Sequence, residues 1–308
     1  MYIFRRVVVC TLSNLDVGCY LGHHFTGALA YADDLTLMAP SLNALQKMLK
    51  ACEQFSAKFD VKFNSSKSSL LLYNTELSDF NIKLGNESIP VVKQTKYLGT
   101  YIGQKSNDEN INQACKDLVS RCNIIMSQFG FCSPVIRKTL FISFCTCFYG
   151  SPLWGLSNSK FQQLERCWRK CIRFILKLHP RTHSVYVPLI MDSLPLKEQL
   201  MIRFFKFFKS LLLCSNCVIN YAANCCINNH SEVSNNLRTC MYFVRKPNSK
   251  IFCPDYSASH FKKEIINQYE LNTSQEDVSC STAIFELLNY DIFESHEQLE
   301  FMNLISIA

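Results

Sequence analysis

The sequence predicts an α+β fold, with short antiparallel strands and a packed helix over residues 1–105 and a run of helices after them. Three observations carry that prediction. Between residues 27 and 102, strand-sized apolar stretches are interrupted by Gly, Pro and an Asp pair, the punctuation of hairpins. From residue 106 onward, apolar residues recur at intervals of three and four, the period of one helix face. Finally, 48% of the 308 residues are hydrophobic and 19% charged, with nine Gly and nine Pro. Such a chain has apolar surface to bury, so disordered, collagen-like and low-complexity readings fail.

Gly27-Ala-Leu-Ala-Tyr31 and Leu35-Thr-Leu-Met38 read as the arms of a hairpin around Ala32-Asp33-Asp34. Ser41 is placed to N-cap a helix whose apolar face is Leu42, Leu45, Met48, Leu49, Cys52, Phe55 and Phe59. Leu70–Tyr73 reads as a strand. Lys96–Ile102 reads as a second hairpin, in which Gly99 and Gly103 relieve close backbone approaches. Ile111, Cys115, Leu118, Cys122, Ile125 and Phe129 form the face of the next helix, ended by Gly130. Ser133-Pro134 supplies the N-cap and first residue of another, running to about Tyr149 and broken by Gly150-Ser-Pro152. Residues 160–178 and 195–217 complete the helical run. The Asn-rich stretch 215–236 reads as loop, and weaker helical patterns follow at Thr282–Asn289 and near the end.

No stretch is long and apolar enough to cross a membrane, and the N-terminus does not read as a signal peptide. Seventeen cysteines, an odd number scattered through apolar stretches, fit packing residues in a reducing compartment. The expected location is therefore intracellular, nucleus or cytoplasm. Net charge is +7, unevenly spread. From Glu264 onward there are nine acidic residues and no Lys or Arg, which leaves 32 basic against 16 acidic residues in 1–263. A body that basic points toward a polyanion.

Tyr31-Ala32-Asp33-Asp34 carries the most chemical information. Neighbouring carboxylates at a hairpin tip repel each other unless a cation lies between them. A hard divalent ion such as Mg²⁺ takes oxygen ligands from one or two carboxylates and from phosphates. An ordinary Asp-Asp turn is the other reading of those residues. The surrounding Gly27–Ser41 segment resembles the catalytic hairpin of LINE-type (non-LTR retrotransposon) reverse transcriptases. Other features follow in that family's order. Asp60-Val-Lys-Phe-Asn-Ser-Ser-Lys67 resembles the segment in which an Asn precedes a nucleotide-facing Lys. Lys96–Ile102 resembles the primer-grip hairpin, and residues 107–149 fall where the thumb belongs. Leu164–Arg173 with Leu194-Pro-Leu resembles the post-thumb helices, so the resemblance spans roughly residues 17–215.

The resemblance implies RNA-directed DNA polymerisation, with an RNA template, a DNA primer and dNTP as partners and Mg²⁺ as cofactor once the palm is complete. Asp33 would be the principal metal ligand and Asp34 its weaker neighbour. Lys67, with Lys62 as rival, would meet the leaving pyrophosphate, and Tyr97, Leu98 and Gly99 would hold the primer. The implied organisation is a partial palm over 1–105, a thumb and connector over 106–215, and a poorly specified region with an acidic tail over 216–308. One departure matters. A polymerase palm needs a third carboxylate from a separate strand, and the sole acidic residue before Asp33 is Asp16, in a linker-like setting. The expected chain is thus a 5′-truncated copy, or one whose start is placed late, with little or no polymerase activity.

In the helix at 160–178, Arg166, Arg169, Lys170, Arg173 and Lys177 gather opposite an apolar side. They suit salt-dependent phosphate binding, or a solvated face. This makes a non-catalytic nucleic-acid-binding protein the alternative function. A third reading has Phe204–Phe208 docking a partner. Cys214, Cys217, Cys225, Cys226 and His230 lack the compact second pair of a zinc site. His179 and His183, split by Pro180, read as structural, and Cys145-Thr-Cys147 as core.

Overall fold

The structure is a computed structural model and describes residues 2–73, 81–229, 231–253 and 255–274. The segments 282–289 and most of the acidic tail lie outside the described residues. The chain divides into two compact units: Met1–Lys105 with Asn216–Ala222, and Ser106–Ser215 with the chain from Ala223 onward. Small strands and many helices make an α+β protein.

In the first unit, α1 (Tyr2–Ser13) precedes four short strands: β1 (Tyr20–Leu21), β2 (His24–Phe25), β3 (Ala28–Tyr31) and β4 (Asp34–Leu37). β1 pairs with β2 and β3 with β4, both antiparallel. Met38 N–H donates to Gly27 O (2.7 Å) and Cys19 N–H to Met38 O (3.0 Å), which ties the two hairpins together. The helix α2 (Leu42–Phe59) starts where the sequence predicts, since Ser41 accepts from Ala44 N–H. It ends at Asp60, which adopts φ 51 and returns its N–H to Ser56 O, a left-handed cap that Asp tolerates.

α2 joins two small cores. One face sends Met48, Ala51, Cys52 and Phe55 against Val8 and Leu12 of α1 and Ala28 of β3. Leu49 packs instead with Leu70, Ile82 and Ile89. Polar side chains of α2 reinforce that second contact. Gln46 pairs with both backbone groups of Lys83 (2.9 and 3.1 Å), and Glu53 accepts from Gly85 N–H (2.6 Å). The strands there are β5 (Leu70–Leu71), β6 (Lys83–Leu84), β7 (Glu87–Ser88) and β8 (Val91–Val92), followed by β9 (Gln94–Tyr97) and β10 (Thr100–Gly103). The expected strand to Tyr73 is shorter than predicted. β5 pairs with β8 in parallel, whereas the other strand pairs are antiparallel as expected.

The second unit is a helical body around one core. It holds α3 (Ser106–Phe129), α4 (Pro134–Leu140), α5 (Phe161–Leu176), α6 (Tyr186–Ile190), α7 (Leu196–Leu212), the latter part of α8 (Cys217–Asn228), α9 (Glu232–Phe243) and α10 (Ala258–Ser274). α3 buries Ile111, Leu118, Cys122 and Ile125, whereas Phe129 at its frayed end is exposed. Ser133 and Pro134 open α4 as predicted. The helix does not run to Tyr149: from Phe141 to Cys145 it widens into a π turn. Arg203 of α7 then donates to Thr146 O (2.8 Å) and Cys147 O (2.9 Å), closing that end. Cys145 is buried and Cys147 exposed, so the expected core pair is divided.

Three further expectations are corrected. Residues 217–228 and 232–243 are helical, not loop. Their low intrinsic propensity is overridden by burial of Ala223, Leu237, Cys240 and Met241. α7 stops at Leu212, so Cys214 and Cys217 lie beyond it. Phe204, Phe205 and Phe208 are no docking surface, because all three are buried in this unit's own core.

α7 also buries charge. Lys209 donates to Ile251 O (2.7 Å) and Cys253 O (3.0 Å), and burial lowers its pKa. Glu198 on the same helix has a buried carboxylate oxygen with no hydrogen-bond partner. Burial, and to a lesser degree Glu165, raise its pKa from 4.5 to about 7. Between those values the folded carboxyl keeps a proton that the unfolded chain has released, so stability falls as pH rises through this window. Glu198→Gln is expected to raise unfolding stability by about 2 kcal/mol at pH 8 and to be neutral at pH 4. Urea midpoints at the two pH values check it; an equal gap at both would contradict the assignment.

Candidate active site

β3 and β4 meet in register, Ala28↔Leu37, Leu29↔Thr36, Ala30↔Leu35 and Tyr31↔Asp34. The turn is therefore Ala32-Asp33, and Asp34 begins the return strand instead of sharing the loop. Ala32 has φ 51, and a positive φ at the first central residue alone is the sign pattern of a type II′ hairpin turn. Directly paired residues share a face, so Ala28, Ala30, Leu35 and Leu37 form the face turned to the core. Leu29, Tyr31, Thr36 and Asp34 form the other, where Leu29 is 49% and Tyr31 60% exposed. Asp33 and Asp34 are both exposed. Among the described residues neither carboxylate has an ion-pair partner. The hairpin thus presents two oxygen-donor groups to solvent at the tip of a ladder anchored by α1 and α2.

The second hairpin is built alike. β9 and β10 pair from Gln94↔Gly103 to Tyr97↔Thr100, leaving Leu98-Gly99 as the loop. Both have positive φ, 46 and 81, the type I′ pattern whose twist matches the strands. Gly99 supplies that turn, and Gly103 relieves a close approach, since a Cβ there would lie 2.5 Å from Lys93 O. Tyr97 is half-buried and Leu98 exposed.

Lys67 ends a 3-10 turn, Ser65–Lys67, that Asn64 caps by accepting from Lys67 N–H (3.3 Å). The Asn-to-Lys spacing noted in the sequence is thus a capping geometry. Lys62 and Lys67 are both exposed. The structure brings the Lys67 turn beside the second hairpin: Ser69 Oγ donates to Thr95 Oγ1 of β9 (3.2 Å) and Leu70 N–H to Pro90 O (2.9 Å). Asp16, the one acidic residue upstream, sits exposed in the turn after α1 with φ 50.

Residues 3–102 match the family model for reverse transcriptase (RNA-dependent DNA polymerase). No curated protein matches the sequence. The matched segment takes in α1, both hairpins, α2 and the Lys67 turn, and it stops at Ile102, within β10. It begins earlier than the resemblance read from the sequence and takes in α1, whose Val8 and Leu12 share a core with Ala28 of the hairpin.

The donor set of the matched segment suits a hard cation in kind, since two carboxylates can join phosphate oxygens around one Mg²⁺. Among the described residues no group of three or more His, Cys, Asp or Glu side chains is arranged to hold a metal. That holds for Cys214, Cys217, Cys225 and Cys226 as well; His230 lies outside the described residues.

The basic face belongs to the second unit. α5 buries Phe161, Leu164, Trp168, Cys171, Ile172, Ile175 and Leu176. Arg166 and Lys170 are exposed, Arg169 and Arg173 half-buried, and Lys177 lies past the helix as its left-handed cap. A hollow of about 530 Å³ opens along this face, lined by Arg166, Arg169, Lys170 and Arg173 with Cys167 and Ser184. Arg173 is committed to the fold, donating twice to Thr182 O (3.1 and 2.7 Å). Burial, and then the neighbouring Arg169, lower its pKa. His179 Nδ1 accepts from Arg181 N–H (3.2 Å), and His183 sits edge-on to Tyr186, structural roles in both cases.

The sequence reading missed the cations that serve the fold, Arg137, Arg203 and Lys209, all bonded to backbone carbonyls. A signal existed for α7. Glu198, Met201, Phe205, Phe208 and Lys209 fall on one helical face, so any polar residue there must be buried.

Proposed function

We propose that the chain is a nucleic-acid-binding protein of non-LTR reverse transcriptase type that does not itself extend a primer. The observation that supports this reading is the family match over residues 3–102, which includes the solvent-facing Asp33-Asp34 hairpin. In this reading the first unit is part of a palm, with Asp33 and Asp34 as metal ligands, Lys67 facing the nucleotide phosphates and Tyr97, Leu98 and Gly99 at the primer. The helices from residue 106 are its thumb and connector. A bound Mg²⁺ would neutralise phosphate charge next to Asp33. What the residues do on their own is hold two carboxylates at a fixed turn, anchored by the α1 and α2 core. Catalysis of phosphoryl transfer needs charge neutralised on both attacking and leaving oxygens. Among the described residues no third carboxylate joins Asp33 and Asp34, and two alone leave that arrangement incomplete.

Binding is carried by cations. Arg166, Lys170 and Lys177 are exposed, and Arg169 and Arg173 line the hollow beside them. They favour a phosphate backbone of any sequence. One set of experiments tests both halves. Fluorescence anisotropy with a single-stranded RNA should show affinity that falls with salt. Reversing the two exposed cations, Arg166→Glu with Lys170→Glu, should reduce the log–log slope by about 0.7 for each lost phosphate contact. Primer extension with Mg²⁺, dNTP and an RNA template should give no product. An unchanged slope removes the binding half, and extension abolished by Asp33→Ala removes the claim of inactivity.

A further inference from the structure

Where the cationic face of α5 meets the core, it meets a chain of sulfur. Cys167 is half-buried and lines the same hollow as Arg166, Arg169, Lys170 and Arg173. On its inner side its Sγ donates to Cys115 O of α3 (3.8 Å), and it interacts with the Cys115 thiol and with Cys171, one turn along its own helix. Cys171 in turn meets Cys122 of α3, whose Sγ lies 3.8 Å from the Sγ of Cys145 in the π turn. Five thiols thus run from the hollow into the core. The charged and titratable groups around the outermost are Lys170, Arg166, Arg169 and Arg173 on α5, Cys171 beside them, and Cys115 opposite.

These neighbours act unequally on the five. The hydrogen bonds from Cys115 and Cys171, and the charge of Lys170, hold the Cys167 thiol well below the usual range, against the effect of burial. The same bonding, with burial, pushes Cys115 and Cys122 up. Two of the five are held low, Cys167 and the buried Cys145, and of these only Cys167 opens on the hollow. A thiolate, not a thiol, is the nucleophile. Among the described residues, Arg166, Arg169 and Lys170 have no acidic partner, so an anion entering the hollow meets unneutralised charge.

We propose that Cys167 is a thiol-modification site selective for small anionic disulfides, with Cys115 as its resolving partner. The Cys167 sulfur attacks one sulfur of RS–SR; the reagent's S–S bond breaks and RS⁻ leaves with the electron pair, giving a mixed disulfide. Cys115 gives its proton to solvent and attacks the Cys167 sulfur, releasing the second RS⁻ and joining α3 to α5 by a disulfide. Two protein thiols are oxidised and one small disulfide is reduced to two thiols. None of this depends on the polymerase lineage.

The test is a comparison of two reagents on the full, reduced chain. The dianionic 5,5′-dithiobis(2-nitrobenzoate) and the uncharged 4,4′-dithiodipyridine are each added below stoichiometry, and the labelled peptide is identified by mass spectrometry. Cys167 should be labelled first by the anionic reagent. Arg166→Gln with Arg169→Gln, or high salt, should slow that reagent about tenfold, the low end of electrostatic steering, and leave the uncharged one unchanged. Cys167→Ser should remove the fast phase; peptide mapping of the unaltered chain decides the matter if that variant does not fold. First labelling at exposed Cys10, Cys147 or Cys217, or equal slowing of both reagents, overturns the proposal.

Discussion

Phe205→Ala is expected to destabilise the second unit by about 3–5 kcal/mol, a large share of the 5–15 kcal/mol that holds a typical domain together. Phe205 is fully buried. Its ring stacks on Phe261 with centroids 4.0 Å apart and planes at 10°, and meets Tyr256 edge-on at 5.7 Å. Truncation removes the shared partner of both rings and leaves a cavity that helix backbones on either side cannot close. It also loosens α10, whose Phe261 and Ile265 are fully buried in the same core. Phe205→Leu, which keeps most of the volume, should cost about 1–2 kcal/mol. Both tryptophans, Trp154 and Trp168, lie in this unit, so fluorescence-detected urea unfolding reports on it directly. The control is Phe131→Ala at a side chain 88% exposed; if Phe205→Ala shifts the midpoint no further than this, the packing argument is wrong.

Asn236→Ala is the second large effect, about 3 kcal/mol, from the loss of hydrogen bonds and not of volume. Asn236 is 2% exposed. Its Nδ2 donates to Trp154 O at 2.7 Å and its Oδ1 accepts from Leu156 N–H at 2.8 Å. One amide thus satisfies two buried backbone groups some 80 residues away in sequence, at a segment between helices that has no ladder of its own. Removing it leaves a buried carbonyl and a buried N–H without partners, each costing about 1–3 kcal/mol. Asn236→Asp keeps an acceptor for Leu156 but turns the donor into an acceptor facing Trp154 O, and should be no more stable than alanine. Hydrogen exchange at the Leu156 amide gives an independent reading. Protection unchanged in Asn236→Ala would show that this bond does not hold the segment.

Asn236 also shows where reading a sequence stops. It falls in the Asn-rich stretch that composition marks as loop, because Asn competes with the helix backbone for hydrogen bonds. In the folded chain that competition is settled by the core. Leu237, Cys240 and Met241 need burial on one face, and the neighbouring Asn is spent on a distant loop. The end of the helix after Ser133-Pro134 was hidden for a similar reason. Its stop is a π turn closed by Arg203 from α7, a partner that no local pattern names.

The candidate site was far more legible. A small-residue strand, an Asp pair and a return strand make a hairpin from local rules alone, as does Ser41 opening α2. Strand alternation decides the exposure of Tyr31 and Asp34, and the turn decides that of Asp33. The Asn64-to-Lys67 spacing reads directly as a cap. What remained hidden was which cations are free. In the sequence Arg166, Arg169, Lys170, Arg173 and Lys177 are five like charges on one side of an amphipathic segment. Folding commits Arg173 to Thr182 and leaves Arg166 and Lys170 open.

By itself, then, the sequence determined the alternation and helical periods, the caps, the two hairpin tips and the carboxylate pair, because each depends on residues a few positions apart. Tertiary structure alone decided which polar groups are consumed in the core, which thiols become neighbours, and that the segment after residue 222 shares a core with residues 106–215. Those outcomes depend on groups tens of residues apart competing for the same buried space. The winner is set by the cost of leaving a buried polar atom or an apolar face without a partner, which is a property of the assembled core and not of any one segment.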